Sequence, residues 1–104
     1  MELKIAYDDK SLEFFQELSN VINQKYNNIT IIGYNENVKK ERKHAFGLKS
    51  NYGTKLTPLV VVFNPNPIKA FYTDVKECRI DNIITYIDEI ILIQNNNCDE
   101  NTSN

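Results

Sequence analysis

Apolar and polar positions alternate over residues 2–7, with Leu3, Ile5 and Tyr7 set against Glu2, Lys4 and Ala6, and this predicts a strand. Asp8, Asp9, Lys10 and Ser11 break the pattern, and Asp and Ser are good helix N-caps. Over residues 11–26 the period changes. Leu12, Phe15, Leu18, Ile22 and Tyr26 recur at steps of three or four and predict an amphipathic helix, closed by Asn27-Asn28. Residues 29–34, Ile-Thr-Ile-Ile-Gly-Tyr, are β-branched and aromatic and predict a second strand. A strand, a helix and a strand imply a parallel pair with a right-handed crossover, the helix covering one sheet face.

Residues 36–50 predict a second helix, with Val38, Arg42, Ala45 and Phe46 on one face and Gly47 or Gly53 as its end. Leu59-Val-Val-Val-Phe63 is a continuous apolar run, the pattern of a central strand buried on both faces. Asn64-Pro65-Asn66-Pro67 is turn chemistry, and Ile68–Tyr72 completes an antiparallel hairpin. Ile80, Ile83, Ile84, Ile87, Ile90 and Ile91 form the clearest helical stripe of the chain, predicting a last helix over 80–93. The expected organisation is one domain over residues 1–93 and a polar, flexible tail over 94–104. The element order is β-α-β-α-β-β-α.

Composition narrows the function classes. Hydrophobic residues make up 41% of the 104 residues and charged residues 25%, as in ordinary globular proteins. The net charge of −2 lacks the basic excess of a dedicated nucleic-acid binder. The longest apolar runs are too short to span a bilayer, and Met1-Glu2-Leu3-Lys4 carries no apolar signal stretch, so no membrane partner and a cytoplasmic location are expected. Cys78 and Cys98 form no CxxC and, with His44 alone, no zinc set, so two free thiols are expected. Asn, Lys and Ile are abundant, a bias that accompanies AT-rich genomes, including those of many phages.

The element order, with Leu56-Thr57-Pro58 leading into Leu59–Phe63, resembles the thioredoxin and glutaredoxin fold family over about residues 2–93. The resemblance implies a four-stranded mixed sheet with helices on both faces. It also implies a cis peptide at Thr57-Pro58, facing a groove that in the family holds the active site. In glutaredoxins an element after the fourth strand holds the γ-glutamyl end of glutathione; Thr73-Asp74 matches it in part, but Phe71-Tyr72 replaces the Gly-Gly pair. The family's nucleophilic cysteine lies between the first strand and first helix, where a helix N-terminus lowers the thiol pKa. Here that segment, Tyr7–Glu13, holds no cysteine, and Asp8, Asp9, Lys10 and Ser11 form a degenerate loop. Thiol–disulfide exchange needs a thiolate, so no redox catalysis is expected. Tyr7 and Ser11 carry the only hydroxyls near this point, and they are expected as a strand residue and a helix cap.

Lys39, Lys40, Arg42 and Lys43 form the one basic run, read first as a solvated helix face and, as a sharper alternative, as an anion contact. Asp8, Asp9 and Glu13 lack the spacing of a metal loop, so no metal is expected. Phe14 lies off the stripe that carries Phe15 and is a candidate rim anchor. The sequence therefore predicts a non-catalytic protein-binding adaptor or structural component of a phage or phage-like assembly, in the host cytoplasm or the virion. One alternative is a glutathione- or thiol-binding redox accessory, and another is a nucleic-acid accessory that uses the 39–43 patch.

Overall fold

A computed structural model describes residues 1–73 and 78–103, with residues 96–103 described by their backbone alone. The chain is α/β: strand β1 (Glu2–Tyr7), helix α1 (Leu12–Lys25), β2 (Thr30–Asn35), α2 (Lys39–Asn51), β3 (Leu59–Phe63), β4 (Pro67–Phe71) and α3 (Ile80–Ser103). A short 3₁₀ turn, Asp9–Ser11, leads into α1. The four strands form one mixed sheet in the order β2-β1-β3-β4. β1 runs parallel to β2, with Ile5 opposite Gly33, and antiparallel to β3, with Ile5 opposite Val60.

The alternation read in β1 separates two cores. Leu3, Ile5, Tyr7, Val60 and Val62 meet Leu18 and Ile22 of α1 and Ile83 and Ile87 of α3 on one face. Ala6, Leu59 and Val61 meet Ala45 and Leu48 of α2 on the other. Burial on both faces is why β3 reads as an unbroken apolar run. Each fully buried Val, Leu or Ile there contributes on the order of 1.5–3 kcal/mol relative to exposure. β3 and β4 pair antiparallel, with a register shift at Val62/Phe63 that sets Phe63 opposite Pro67. β4 lies at the sheet edge, where a proline without an N–H is tolerated.

Two elements depart from the sequence expectation. The buried face of α2 is Ala45, Leu48 and Lys49, whereas Val38 and Phe46 are exposed. The predicted face did not include Lys49, which lies inward because Glu36 pairs with it. α2 also runs through Gly47 to Asn51, and Gly53 closes it at φ 66. The Gly53 N–H donates to Ser50 O at 3.2 Å and the Thr54 N–H to Lys49 O at 3.1 Å. This is a Schellman closure, which requires the left-handed conformation that glycine adopts at no steric cost. The second departure is α3, whose backbone continues past 93 to Ser103. No helix among the described residues is long and apolar enough to cross a membrane.

Candidate functional site

The carboxyl ends of β1 and β2 and the entry to β3 converge on one polar cluster. Asp8 follows β1 and caps the turn ahead of α1: its Oδ1 accepts the Ser11 N–H at 2.9 Å and the Ser11 hydroxyl at 2.7 Å. In return the Asp8 N–H donates to Ser11 Oγ at 3.0 Å. This reciprocal capping box occupies the only hydroxyl in the loop where the family resemblance places a nucleophile. Asp9 is bound as well. Its N–H donates to Asn37 Oδ1 at 2.7 Å and its Oδ1 accepts from Asn35 Nδ2 at 3.1 Å. Lys10 is exposed.

Thr57 joins this loop to the start of β3. Its hydroxyl lies 3.0 Å from Asp8 Oδ2 and 3.4 Å from Glu36 Oε1, and its one proton serves the shorter bond better. The Thr57-Pro58 peptide is cis, as is Asn64-Pro65 in the hairpin turn. Glu36 in turn receives Lys49 Nζ on Oε2 at 2.7 Å, and Lys49 also donates to Lys55 O at 3.3 Å. The side chains of this pair are 7% and 17% exposed. Sequence reading missed both residues. They are 13 positions apart, Glu36 in the connection after β2 and Lys49 in α2, and no local pattern marks them as a pair.

Partial burial works against ionisation of Asp8, but the hydrogen bonds from the Ser11 hydroxyl, the Thr57 hydroxyl and the Ser11 N–H, with Lys10 nearby, outweigh it and hold its pKa below the usual value. Tyr7 stacks on Phe15 with ring centroids 4.1 Å apart. Burial, with Glu41 and Asp9 adding to it, raises the Tyr7 phenol pKa. It is a protonated strand residue, not an activated nucleophile.

On the other side of Pro58 two donors share its carbonyl oxygen. The Thr73 hydroxyl donates to it, and Cys78 Sγ lies 3.8 Å away. No local pattern marks the approach of Cys78 to Pro58, 20 positions away in the chain. Desolvation pushes the Cys78 thiol up to about 11, so it is protonated at neutral pH. Phe71 is buried, and Asp74 lies outside the described residues.

The remaining candidates lie elsewhere. Lys39, Lys40, Arg42 and Lys43 are exposed along the solvent side of α2. Arg42 Nε donates to Glu36 O at 2.9 Å. Phe14 is half-buried against the core of α1 and α3, so it is no free-standing anchor. Phe46 and Leu56 are about half exposed, at 48% and 50%. An open cleft of about 510 Å³ is lined by Phe46, Lys49, Ser50, Gly53, Thr54 and Lys55, on the side of α2 that faces the Thr57 loop. Neither a protein-family model nor a curated protein nor a solved structure matches the chain.

Proposed function

We propose that this chain is a thioredoxin-like binding module without redox chemistry, an adaptor or structural component that docks on another protein beside Pro58. The observation that carries the reading is the state of the loop ahead of α1. Asp8 and Ser11 are tied to each other and to Thr57, and no thiol lies in the segment. A thiolate there would also face two carboxylates, Asp8 and Asp9. Cys78 touches the Pro58 carbonyl but keeps its proton at neutral pH. The sheet order, the parallel β1/β2 pair and the place of Pro58 at the entry to β3 support the thioredoxin-like part. Phe46, in the lining of the cleft, and Leu56, next in the chain after the lining residue Lys55, support docking, since half-exposed large apolar side chains are suited to a partner's apolar contact.

Two measurements on the full chain test the reading. Disulfide reduction is assayed for the wild type and Cys78→Ser, and the expected result is no turnover in either; turnover that Cys78→Ser abolishes makes the chain a redox protein. Affinity purification from the native source compares the wild type with Leu56→Glu. A single stoichiometric protein, retained by the wild type and lost by the variant, is expected. Identical recoveries from the two overturn docking at this place.

A further inference from the structure

α2 carries a glycine that nothing inside the chain requires. Gly53 is needed for the left-handed closure, but Gly47 sits in mid-helix, and a Cβ added there would meet nothing within 4 Å. A glycine in a helix interior is about 1 kcal/mol less favourable than alanine. The missing side chain therefore has neither a turn nor a close neighbour to account for it. Gly47 lies in the lining of a second cleft, of about 270 Å³, together with Lys4, Tyr34, Lys43, His44 and Asn51. Apart from Leu48 beneath them, these complete the lining, and none is shared with the cleft near Thr57.

The chemistry around Gly47 points one way. The His44 ring stacks on Tyr34 with centroids 5.1 Å apart and planes 25° from parallel. His44 is exposed, and Lys39, Lys40 and Lys43 continue the same solvent side of α2. None of these three lysines makes an ion pair among the described residues. Lys4 lies on the sheet side, 3.8 Å from Glu2 Oε1 and 5.0 Å from the Phe63 ring centroid. The nearest carboxylate on α2, Glu41, is turned to the Asn35 N–H at 3.2 Å, away from the lysine row. Cations in a row beside an aromatic stack are the two parts of a single-strand nucleic-acid surface, a track for phosphates and a platform for bases.

We propose that this cleft and the adjoining face of α2 bind single-stranded nucleic acid, with a phosphate passing against the helix at Gly47 between Lys4 and Lys43 and a base on the His44–Tyr34 stack. The net charge of −2 confines the binding to this face. An acidic protein would use the lysines but has no need of the stack or of the bare backbone at Gly47, and this favours a nucleic acid. The proposal is independent of docking beside Pro58, because it uses other residues on the far side of α2.

The experiment is fluorescence anisotropy with a labelled oligothymidylate of about 20 nucleotides, at low salt and at fourfold higher salt. Three phosphate contacts on a single strand predict binding roughly 20-fold weaker at the higher salt. Lys40→Glu with Lys43→Glu is expected to weaken binding by tenfold or more. Gly47→Leu separates the proposal from a purely structural role: it replaces glycine by a better helix former, so thermal stability holds or rises, while binding falls by tenfold or more. His44→Ala is expected to weaken binding of the oligonucleotide and leave that of inorganic polyphosphate unchanged. Absence of binding at low salt, or unchanged binding in Gly47→Leu, overturns the proposal. So does equal affinity for thymidine monophosphate, which would make the ligand a free nucleotide. Equal effects of His44→Ala on oligonucleotide and polyphosphate would leave charge alone as the determinant and point to an acidic protein instead.

Discussion

The Thr57 hydroxyl lies 3.0 Å from Asp8 Oδ2, so the residue before Pro58 is fastened to the cap of the 3₁₀ turn that leads into α1. Asp8 has its pKa lowered despite partial burial, by donors that include Thr57. A carboxylate with a lowered folded-state pKa adds stability above its unfolded value, near 3.9, and loses it as the pH falls through the folded value. Thr57→Val removes one donor and keeps the shape. It is expected to cost about 1 kcal/mol at pH 7, since the carboxylate is partly exposed. The difference from wild type should shrink on acidification below about pH 4, as Asp8 protonates in both proteins. Urea denaturation at neutral and acid pH measures this, and a difference independent of pH removes Asp8 from the account.

Phe15 lies over Gly33 of β2, and this contact fixes where α1 crosses the sheet. A Cβ on Gly33 would fall 2.5 Å from Phe15 Cζ and 3.0 Å from Tyr7 Cε1. The stacked Phe15–Tyr7 pair thus fills the space that a side chain would take. Gly33→Ala should cost roughly 1–3 kcal/mol by overpacking, although alanine is otherwise the better strand residue. Phe15→Leu in the same chain should recover part of that loss. Thermal unfolding of the three variants decides it, and a Gly33→Ala protein as stable as wild type places the ring elsewhere.

These two contacts also show where the sequence was readable. The alternation of Leu3, Ile5 and Tyr7 and the run Leu59–Phe63 follow from which sheet faces are covered, a property written locally in every strand. The isoleucine stripe of α3 is likewise local, and Ile83 and Ile87 are buried as it requires. The end of α3 was not readable. Beyond Ile91 no apolar stripe marks the helix, and extension of an existing helix needs only one further hydrogen bond per residue. The candidate loop was half readable. Asp8 and Ser11 are a cap by local chemistry, but Glu36 and Cys78 reach the Thr57-Pro58 segment, and Lys49 reaches Glu36, through tertiary packing alone.

Lys49 is the clearest such case, and its pairing with Glu36 sets the cost of removing it. Lys49→Met leaves the Glu36 carboxylate nearly buried without its cation, the arrangement that costs about 3–5 kcal/mol in fully buried pairs. The value expected here is at the lower end, roughly 3 kcal/mol, because Glu36 keeps some solvent contact. Lys49→Met with Glu36→Gln should be more stable than Lys49→Met alone, since no charge is then stranded. Guanidinium titrations of the two single variants and the double variant give the coupling, and additive losses would mean that the pair does not act as one.

Cys78 should be a poor nucleophile while the chain is folded. Burial raises its pKa to about 11, and the thiolate is the reacting form. At pH 8 about one thiol in a thousand is then ionised, against roughly a quarter for a free cysteine of pKa 8.5. In a Cys98→Ser background, reaction with a chromogenic disulfide should be slower than that of free cysteine by two orders of magnitude or more. It should rise to the free rate in denaturant, and the native rate should increase tenfold per pH unit up to about pH 10. A native rate equal to that of free cysteine would show an accessible thiolate beside Pro58, and the reading of this groove as chemically inert would then fail along with it.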